Sequence, residues 1–211
     1  MNQILVTKIL KKSKQFLIIF YISILSIFIF LGVYISYYIT KKNEEKISNN
    51  FNKNYDIYRL YASSNITSTI QKDSDILGNI IIPKININYP FFAGINDELL
   101  KISPCRFYGD MPNSKSNLCI AGHNYNDNRF FSKISLLENN DLIIIEDANK
   151  NKFNYYLYNK FEVDVDNASF IKAPPINNSE LTLLTCNNVN NKRIVVKAIA
   201  NWDSTQKEVY K

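Results

Sequence analysis

Leu181-Thr182-Leu183-Leu184-Thr185-Cys186, then Asn187-Asn188-Val189-Asn190-Asn191, then Arg193 through Ala200: the run reads as strand, polar turn and strand. Strand-forming residues stop at a cluster of asparagines, whose side chains favour turns, and resume after it. With a period of two, Thr182, Leu184 and Cys186 share one face. Cys186 therefore stands at a strand tip beside a loop, and the hairpin returns Arg193 to its side. Segments of the same kind recur upstream. Ile80-Ile81-Ile82-Pro83 is a short apolar run stopped by proline, and Ile85, Ile87 and Tyr89 alternate with polar residues before Pro90. Leu118–Ala121, Leu142–Ile145, Phe153–Tyr158 and the alternating Phe161, Val163 and Val165 follow. Helical periodicity is confined to Glu98–Lys101 and Phe130–Leu137. Many short strands between Leu77 and Ala200, parted by Asn, Asp and Pro, indicate an all-β barrel or sandwich.

Outside this region the chain changes character. Residues 16–39, FLIIFYISILSIFIFLGVYISYYI, contain no charged residue and match the length needed to cross a bilayer. A soluble core helix of that length would carry a polar stripe. A cleaved signal would carry a shorter apolar core and a small-x-small site, whereas this run ends in Tyr37-Tyr38-Ile39-Thr40-Lys41-Lys42. The reading is an uncleaved transmembrane anchor over 16–39, a cytoplasmic N-terminus over 1–15, a polar stalk over 40–75 and a β-rich domain over 76–211. Lysines flank the span on both sides, so charge alone orients it weakly. An orientation with the large C-terminal domain outside the cell is the one expected.

The 211 residues carry a net charge of +6, enough chain for one ordinary domain with accessory segments. The positive charge is mostly lysine and spread out. With four arginines, Arg59, Arg106, Arg129 and Arg193, and no nucleic-acid motif, it speaks for an anionic cell envelope and against a nucleic-acid partner.

Three residues invite a chemical reading. His123, the only histidine, follows the strand-like Leu118–Ala121 and Gly122 and precedes a polar loop. Loops beyond strand ends often carry catalytic groups, although a lone histidine is more commonly structural. The cysteines, Cys105, Cys119 and Cys186, are odd in number, so in an exported protein at least one thiol is free. Cys119 has the place of a buried mid-strand residue, and Cys186 that of an accessible one. Taken alone, Arg193 is an ordinary strand arginine. Together the three supply what cysteine catalysis needs: a thiolate, an acid for the leaving amine and a donor for the oxyanion.

At this point the residues resemble a family. Thr182-Leu183-Leu184-Thr185-Cys186 with Arg193 on the next strand is similar to the TLxTC…R signature of sortases. Leu118-Cys119-Ile120-Ala121-Gly122-His123-Asn124 resembles their histidine motif. Gly78 through Ile85 resembles the first barrel strands, and Asn140 through Asp147 the strand after the histidine loop. The likeness spans about residues 77–201 and implies an eight-stranded closed β-barrel behind the transmembrane helix. It also implies a reaction that needs no cofactor or metal. Cys186 attacks the threonine carbonyl of an LPxTG-like sorting motif, His123 protonates the leaving amine and Arg193 stabilises the oxyanion. The implied partners are surface proteins bearing the sorting motif and a peptidoglycan precursor or other amine acceptor, in a Gram-positive cell wall. Substrate contacts are implied for Thr185 and Ala121. The apolar loop Asp166–Ser179 brings Phe170, Ile171 and Pro174 as one wall of the motif pocket, or packs as a plain loop. A class A, D or E type fits best. Residues 41–75 lack the proline of a class C lid, the tail after Trp202 is polar, and Asp166–Ser179 is short for a class B insert.

Three rival readings stand beside this one. The cysteines with His123 would form a zinc site, although their spacing matches no common finger. Alternatively, a Cys105–Cys119 disulfide would stabilise a non-catalytic surface binding or adhesion module in which Cys186 is buried. The last is a sortase fold that has lost activity.

Overall fold

The computed structural model describes residues 2–53, 75–112, 116–171 and 178–200. The chain divides into two compact units, Met1–Lys46 and Ile47–Lys211. The first helix, α1, runs over Asn2–Lys53. Within it, large apolar side chains from Phe16 to Ile39 are exposed on every side, among them Phe20, Phe28, Phe30 and Tyr34. Water penalises such a surface and lipid accommodates it, and the helix is long and apolar enough to cross a membrane. Two serines within the apolar stretch are satisfied inside the helix: Ser23 Oγ donates to Phe20 O at 2.7 Å and Ser26 Oγ to Ser23 O at 2.7 Å. Residues 40–53 of the expected stalk continue the helix. The stretch Tyr55–Ala62 of the stalk, where the sequence also allows a short helix, lies outside the described residues.

The second unit holds the strands. They are β1 (Ile76–Ile82), β2 (Ile87–Phe92), β3 (Cys105–Tyr108), β4 (Asn117–Ala121), β5 (Leu142–Asp147), β6 (Lys152–Val163), β7 (Glu180–Asn187) and β8 (Lys192–Ala200). They close in the order β1-β2-β3-β4-β7-β8-β6-β5, the eight-stranded barrel that the resemblance implied. Two of its pairings are parallel, β2 with β3 and β4 with β7. Closure removes the free sheet edge that eight separate short strands would present.

Alternation divides the strands into two faces. Ile80, Ile82, Ile120, Ile143, Ile145, Leu157, Leu181, Leu183, Val196 and Ala198 fill one buried core. Their neighbours one residue along point the other way, and on β4, β7 and β8 that outer face is buried as well. There Ala121, Leu184 and Val195 pack with Val163 and Phe170 in a second cluster, flanked by Ile95, Leu100, Phe107, Phe161 and Ile171. At its far end the same outer face is polar. Lys197 Nζ donates to Glu180 Oε2 at 2.5 Å, and Tyr158 Oη donates to Glu180 Oε1. Thr182 Oγ1 donates to Asn117 Oδ1 at 2.7 Å, and Asn117 Nδ2 donates to Phe170 O at 3.0 Å. Asn117 thus pins the Phe170 segment to the barrel.

Some elements depart from the sequence reading. The four-residue strand β3, Cys-Arg-Phe-Tyr, shows no apolar alternation, and the sequence pattern predicts no strand there; it exists through pairing with β2 and β4. Phe153–Tyr158 and Phe161–Val165 are not separate, because β6 runs twelve residues through Asn159 and Lys160. A register shift between Leu157 and Asn159 absorbs the polar break. Ile85 sits in a 3-10 turn, Pro83–Ile85, closed by Asn86 in the left-handed region at φ 54°, so β2 begins only at Ile87. The helical pattern at Phe130–Leu137 yields a single 3-10 turn, Ile134–Leu136. The pattern at Glu98–Lys101 becomes helix α2 (Asp97–Ile102), whose N-cap Asn96 accepts from the Leu99 N–H at 2.9 Å. That cap satisfies an otherwise orphaned donor.

The Glu180–Lys197 pair generates a stability prediction. Its side chains are 2% and 8% exposed, so removing one partner strands a buried charge. Lys197→Met should destabilise the barrel by about 3–5 kcal/mol, read by urea unfolding of a fragment starting at Asp75. The double variant Lys197→Met/Glu180→Gln should recover a large part of that loss. A single variant as stable as wild type would show the pair to be solvated.

Candidate active site

Two long-range pairings assemble the site. Strand β4 lies parallel to β7 with Asn117 opposite Glu180 and Ala121 opposite Leu184. The ladder continues past the end of β4: the Gly122 N–H donates to Leu184 O at 3.0 Å, and Thr185 Oγ1 donates to Gly122 O at 2.7 Å. Asn124 Nδ2 then donates to Cys186 O at 2.7 Å, and Asn188 Nδ2 returns a bond to Asn124 O at 2.9 Å. The chain therefore leaves β4 at His123 level with Cys186 on β7. On the other side, antiparallel pairing sets Cys186 directly opposite Arg193 of β8. Directly opposed residues share a face with Cβ atoms about 4.5–5.5 Å apart. His123, Cys186 and Arg193 thus lie across three neighbouring strand ends, β4, β7 and β8. The hairpin neighbour read from the sequence is in register, and the parallel strand supplies the convergence that the sequence left open.

The three thiols differ in setting. All are unpaired with one another; Cys105 and Cys119 are buried and Cys186 is exposed. Burial pushes the Cys105 thiol up from the usual 9.0 to about 12 and Cys119 up to about 11. Neither forms thiolate near neutral pH. The alternative with a Cys105–Cys119 disulfide and a buried Cys186 does not match this arrangement. Cys105 pairs across from Ala121, while Cys119 faces Tyr108.

The residues expected to contact substrate divide into three sets. Ala121, Phe170 and Ile171 gather in the apolar cluster on the outer face, alongside Leu184 and Val195. By alternation Cys186 and Arg193 belong to the same face. The Asp166–Ser179 loop therefore lies against the strand ends that carry the thiol, as far as Ile171. Thr185 is buried, 3% exposed, with its hydroxyl committed to Gly122 O, which makes it a tie between the histidine and cysteine strands. Pro174 lies outside the described residues.

Sequence reading passed over several residues that build the site. Asn124 stood in the histidine motif without a role, yet it and Asn188 clasp the two loops together. Asn187 and Asn190 each donate to Glu162, at 2.5 and 2.8 Å. Those bonds, Asn190 first, hold the Glu162 carboxyl below its usual range and moor the β7–β8 turn to β6. The asparagine run signalled a turn, and nothing in its pattern signalled which groups the side chains reach. Gly122 has a steric reason: a Cβ there would stand 2.9 Å from the Phe131 ring. Among the described residues no group of His, Cys, Asp and Glu is arranged to hold a metal ion.

Residues 80–201 match the model of the sortase domain, and the chain belongs to the sortase family, a transpeptidase class. It is 26% identical over 174 residues to sortase A of Listeria monocytogenes, covering 79% of this chain and 74% of that one. Sortase A from Corynebacterium diphtheriae superposes with a TM-score of 0.56 at 22% identity, covering 62% of this chain and 63% of that structure. The chain thus spans just under two thirds of that relative. Sortase C of Clostridium perfringens, solved with the C-terminal cell wall sorting motif, gives a TM-score of 0.57 at 22% identity. That likeness covers 80% of this chain and 97% of the other.

The thiol settings generate two predictions. Iodoacetamide should place one adduct on the native protein, on Cys186, and three on the unfolded chain; two or three native adducts would contradict the burial of Cys105 and Cys119. Stability should also depend on alkaline pH. In the folded state Cys105 and Cys119 keep their protons after the unfolded chain has lost them. Their contribution is therefore whole below pH 9.0 and is lost as pH rises through about 11 and 12. Denaturation midpoints measured from pH 8 upward should fall, and Cys105→Ala should flatten that fall. A midpoint that rises over this range would overturn the assignment.

Proposed function

We propose that the protein is a membrane-anchored cysteine transpeptidase that cuts an LPxTG-like C-terminal sorting motif and joins the upstream protein to an amine. One observation carries this reading: an exposed thiol at the end of β7, with Arg193 opposite it and the His123 loop bonded to its own carbonyl through Asn124. Cys186 Sγ attacks the carbonyl carbon of the motif threonine. The carbonyl electrons move onto oxygen, where the Arg193 guanidinium, a charged donor in a fixed fork, stabilises them. The oxyanion collapses, the threonine–glycine C–N bond breaks, and His123 supplies the proton that the departing amine needs. The product is a thioester on Cys186. A second amine attacks it, gives up a proton and releases the thiolate.

The rest of the chain supports that chemistry. The cluster of Ala121, Leu184, Val195, Phe170 and Ile171 provides an apolar bed for the leucine and proline of the motif, on the face that Cys186 and Arg193 share. The span at 16–39 serves as a single-pass anchor, with 1–15 in the cytoplasm and the barrel outside, where motif-bearing surface proteins and peptidoglycan precursors of a Gram-positive wall meet it. Absence of proline from residues 41–75 and the short Asp166–Ser179 connection favour a class A, D or E enzyme.

A fragment starting near residue 75 should cleave a quenched LPxTG-like peptide, and Cys186→Ala should abolish the signal. His123→Ala and Arg193→Ala should each lower kcat by about 10²–10³. Full activity in the Cys186→Ala variant would refute the mechanism. Near-wild-type rates in both other variants would remove the assigned roles.

A further inference from the structure

The loop that carries His123 has an internal architecture that the reaction outlined above leaves unused. Its neck is closed by the Phe131 N–H donating to His123 O at 3.1 Å and by a bridge between Asn124 and Phe130. Inside the neck, the Tyr125 ring lies 5.0 Å from the His123 ring, tilted by 49°. Arg129 backs Tyr125, its Cζ 4.4 Å from the ring centroid. The same guanidinium stands 5.5 Å from the Phe130 ring, and Phe130 is fully buried against Tyr89 of β2 at 5.2 Å, edge to face. A continuous stack thus runs from the imidazole to the barrel wall.

Arg129 is unusual for a loop arginine. It is 5% exposed. Asp127 holds only its inner edge, accepting from Nε at 2.9 Å and from the Arg129 backbone N–H at 3.1 Å. Ser132 Oγ donates to Arg129 O at 2.8 Å. Nη1 and Nη2 are buried without a hydrogen-bond partner among the described residues. Burying those donors is costly, and an attraction between the cation and the faces of Tyr125 and Phe130 offsets part of the cost. The backbone is constrained too: Asn128 and Phe130 lie in the left-handed region, at φ 66° and 51°. A bulky phenylalanine adopts that region only where its surroundings over-determine it. A loop that tolerates a half-satisfied buried cation and a left-handed phenylalanine is built to hold a fixed shape. The side chain at the open end of that shape is the half-buried His123.

We propose that Tyr125, backed by Arg129, is a positioning residue that fixes the imidazole of His123 in its working orientation. This rests on the reading of His123 as the acid. A free imidazole samples several rotamers, and ordering it before the chemical step removes that cost from the barrier. The stack acts through the ring of Tyr125, so phenylalanine should replace tyrosine.

His123 is the only histidine, so histidine-labelled full-length protein in detergent gives one set of imidazole carbon–proton signals. Tyr125→Ala should move and broaden those signals, Arg129→Ala should do so to a smaller extent, and Tyr125→Phe should leave them close to wild type. In cleavage of the sorting peptide, Tyr125→Ala should lose about 10–100-fold in kcat with KM changed less than about twofold, and Tyr125→Phe should restore most of the loss. Tyr125→Leu repeats the test with the apolar volume kept, should the alanine variant unfold. Unchanged imidazole signals in the alanine and leucine variants would overturn the proposal, as would a loss confined to KM or a failure of Phe to rescue. The spectra read the stack without turnover. A wild-type protein that cleaves nothing would therefore count against the proposed function and leave the positioning result standing.

Discussion

Strand β4 lies beside β7 in parallel, and sixty-three residues separate Thr185 and Gly122, which a hydrogen bond joins just past the end of β4. Parallel neighbours cannot be joined by a tight turn, so the whole stretch through β5 and β6 must travel round the barrel before β7 can return to β4. That detour brings the end of the histidine strand level with the end of the cysteine strand. A one-residue slip in the pairing would turn every β7 side chain to the opposite face. Cys186 would then point into the core, and Leu183 and Leu181 out of it. Burial of Leu181 and Leu183 on one side and of Leu184 on the other makes that slip expensive, and so fixes where the thiol points.

The apolar outer cluster follows from the same register. The outer face of β4, β7 and β8 is covered by a loop whose Phe170 carbonyl is held by Asn117, and Asn117 is itself held by Thr182 of β7. A buried polar network thus positions an apolar wall. Farther along, the same face buries Glu180 with Lys197 and Tyr158. Together they give the face a fixed polar end and an apolar end, and the exposed thiol of Cys186 lies beyond the apolar end. Charge pairs of this kind add little net stability over a well-packed apolar substitute.

Much of this was legible in the chain. Period-two alternation in Leu181–Cys186 and Arg193–Ala200 gave the hairpin and the facing of Cys186 and Arg193, because antiparallel register follows from a short turn. The apolar run from Phe16 to Ile39 gave a bilayer-length helix, because the length and unbroken apolar character of a span are read directly from the chain. Strand β3 was illegible because four residues with no alternation take their conformation from their neighbours. The β4–β7 pairing was likewise beyond local pattern; the family resemblance implied a closed eight-stranded barrel and left its strand order open. The supports of His123 were hidden for a further reason. Tyr125, Asp127, Arg129 and Phe130 look like a polar loop with stray aromatics until the chain closes on itself and stacks them.

The central claim is that Cys186 forms a thioester with the sorting-motif threonine. The most direct measurement is intact mass spectrometry of the protein mixed with an LPxTG-like peptide and quenched in acid before an amine is added. The account predicts a species heavier by the acyl portion of the peptide, mapped to Cys186, that disappears when an amine acceptor or hydroxylamine is supplied. Cleavage of the peptide with no such adduct, or an adduct on Cys105 or Cys119, would contradict it.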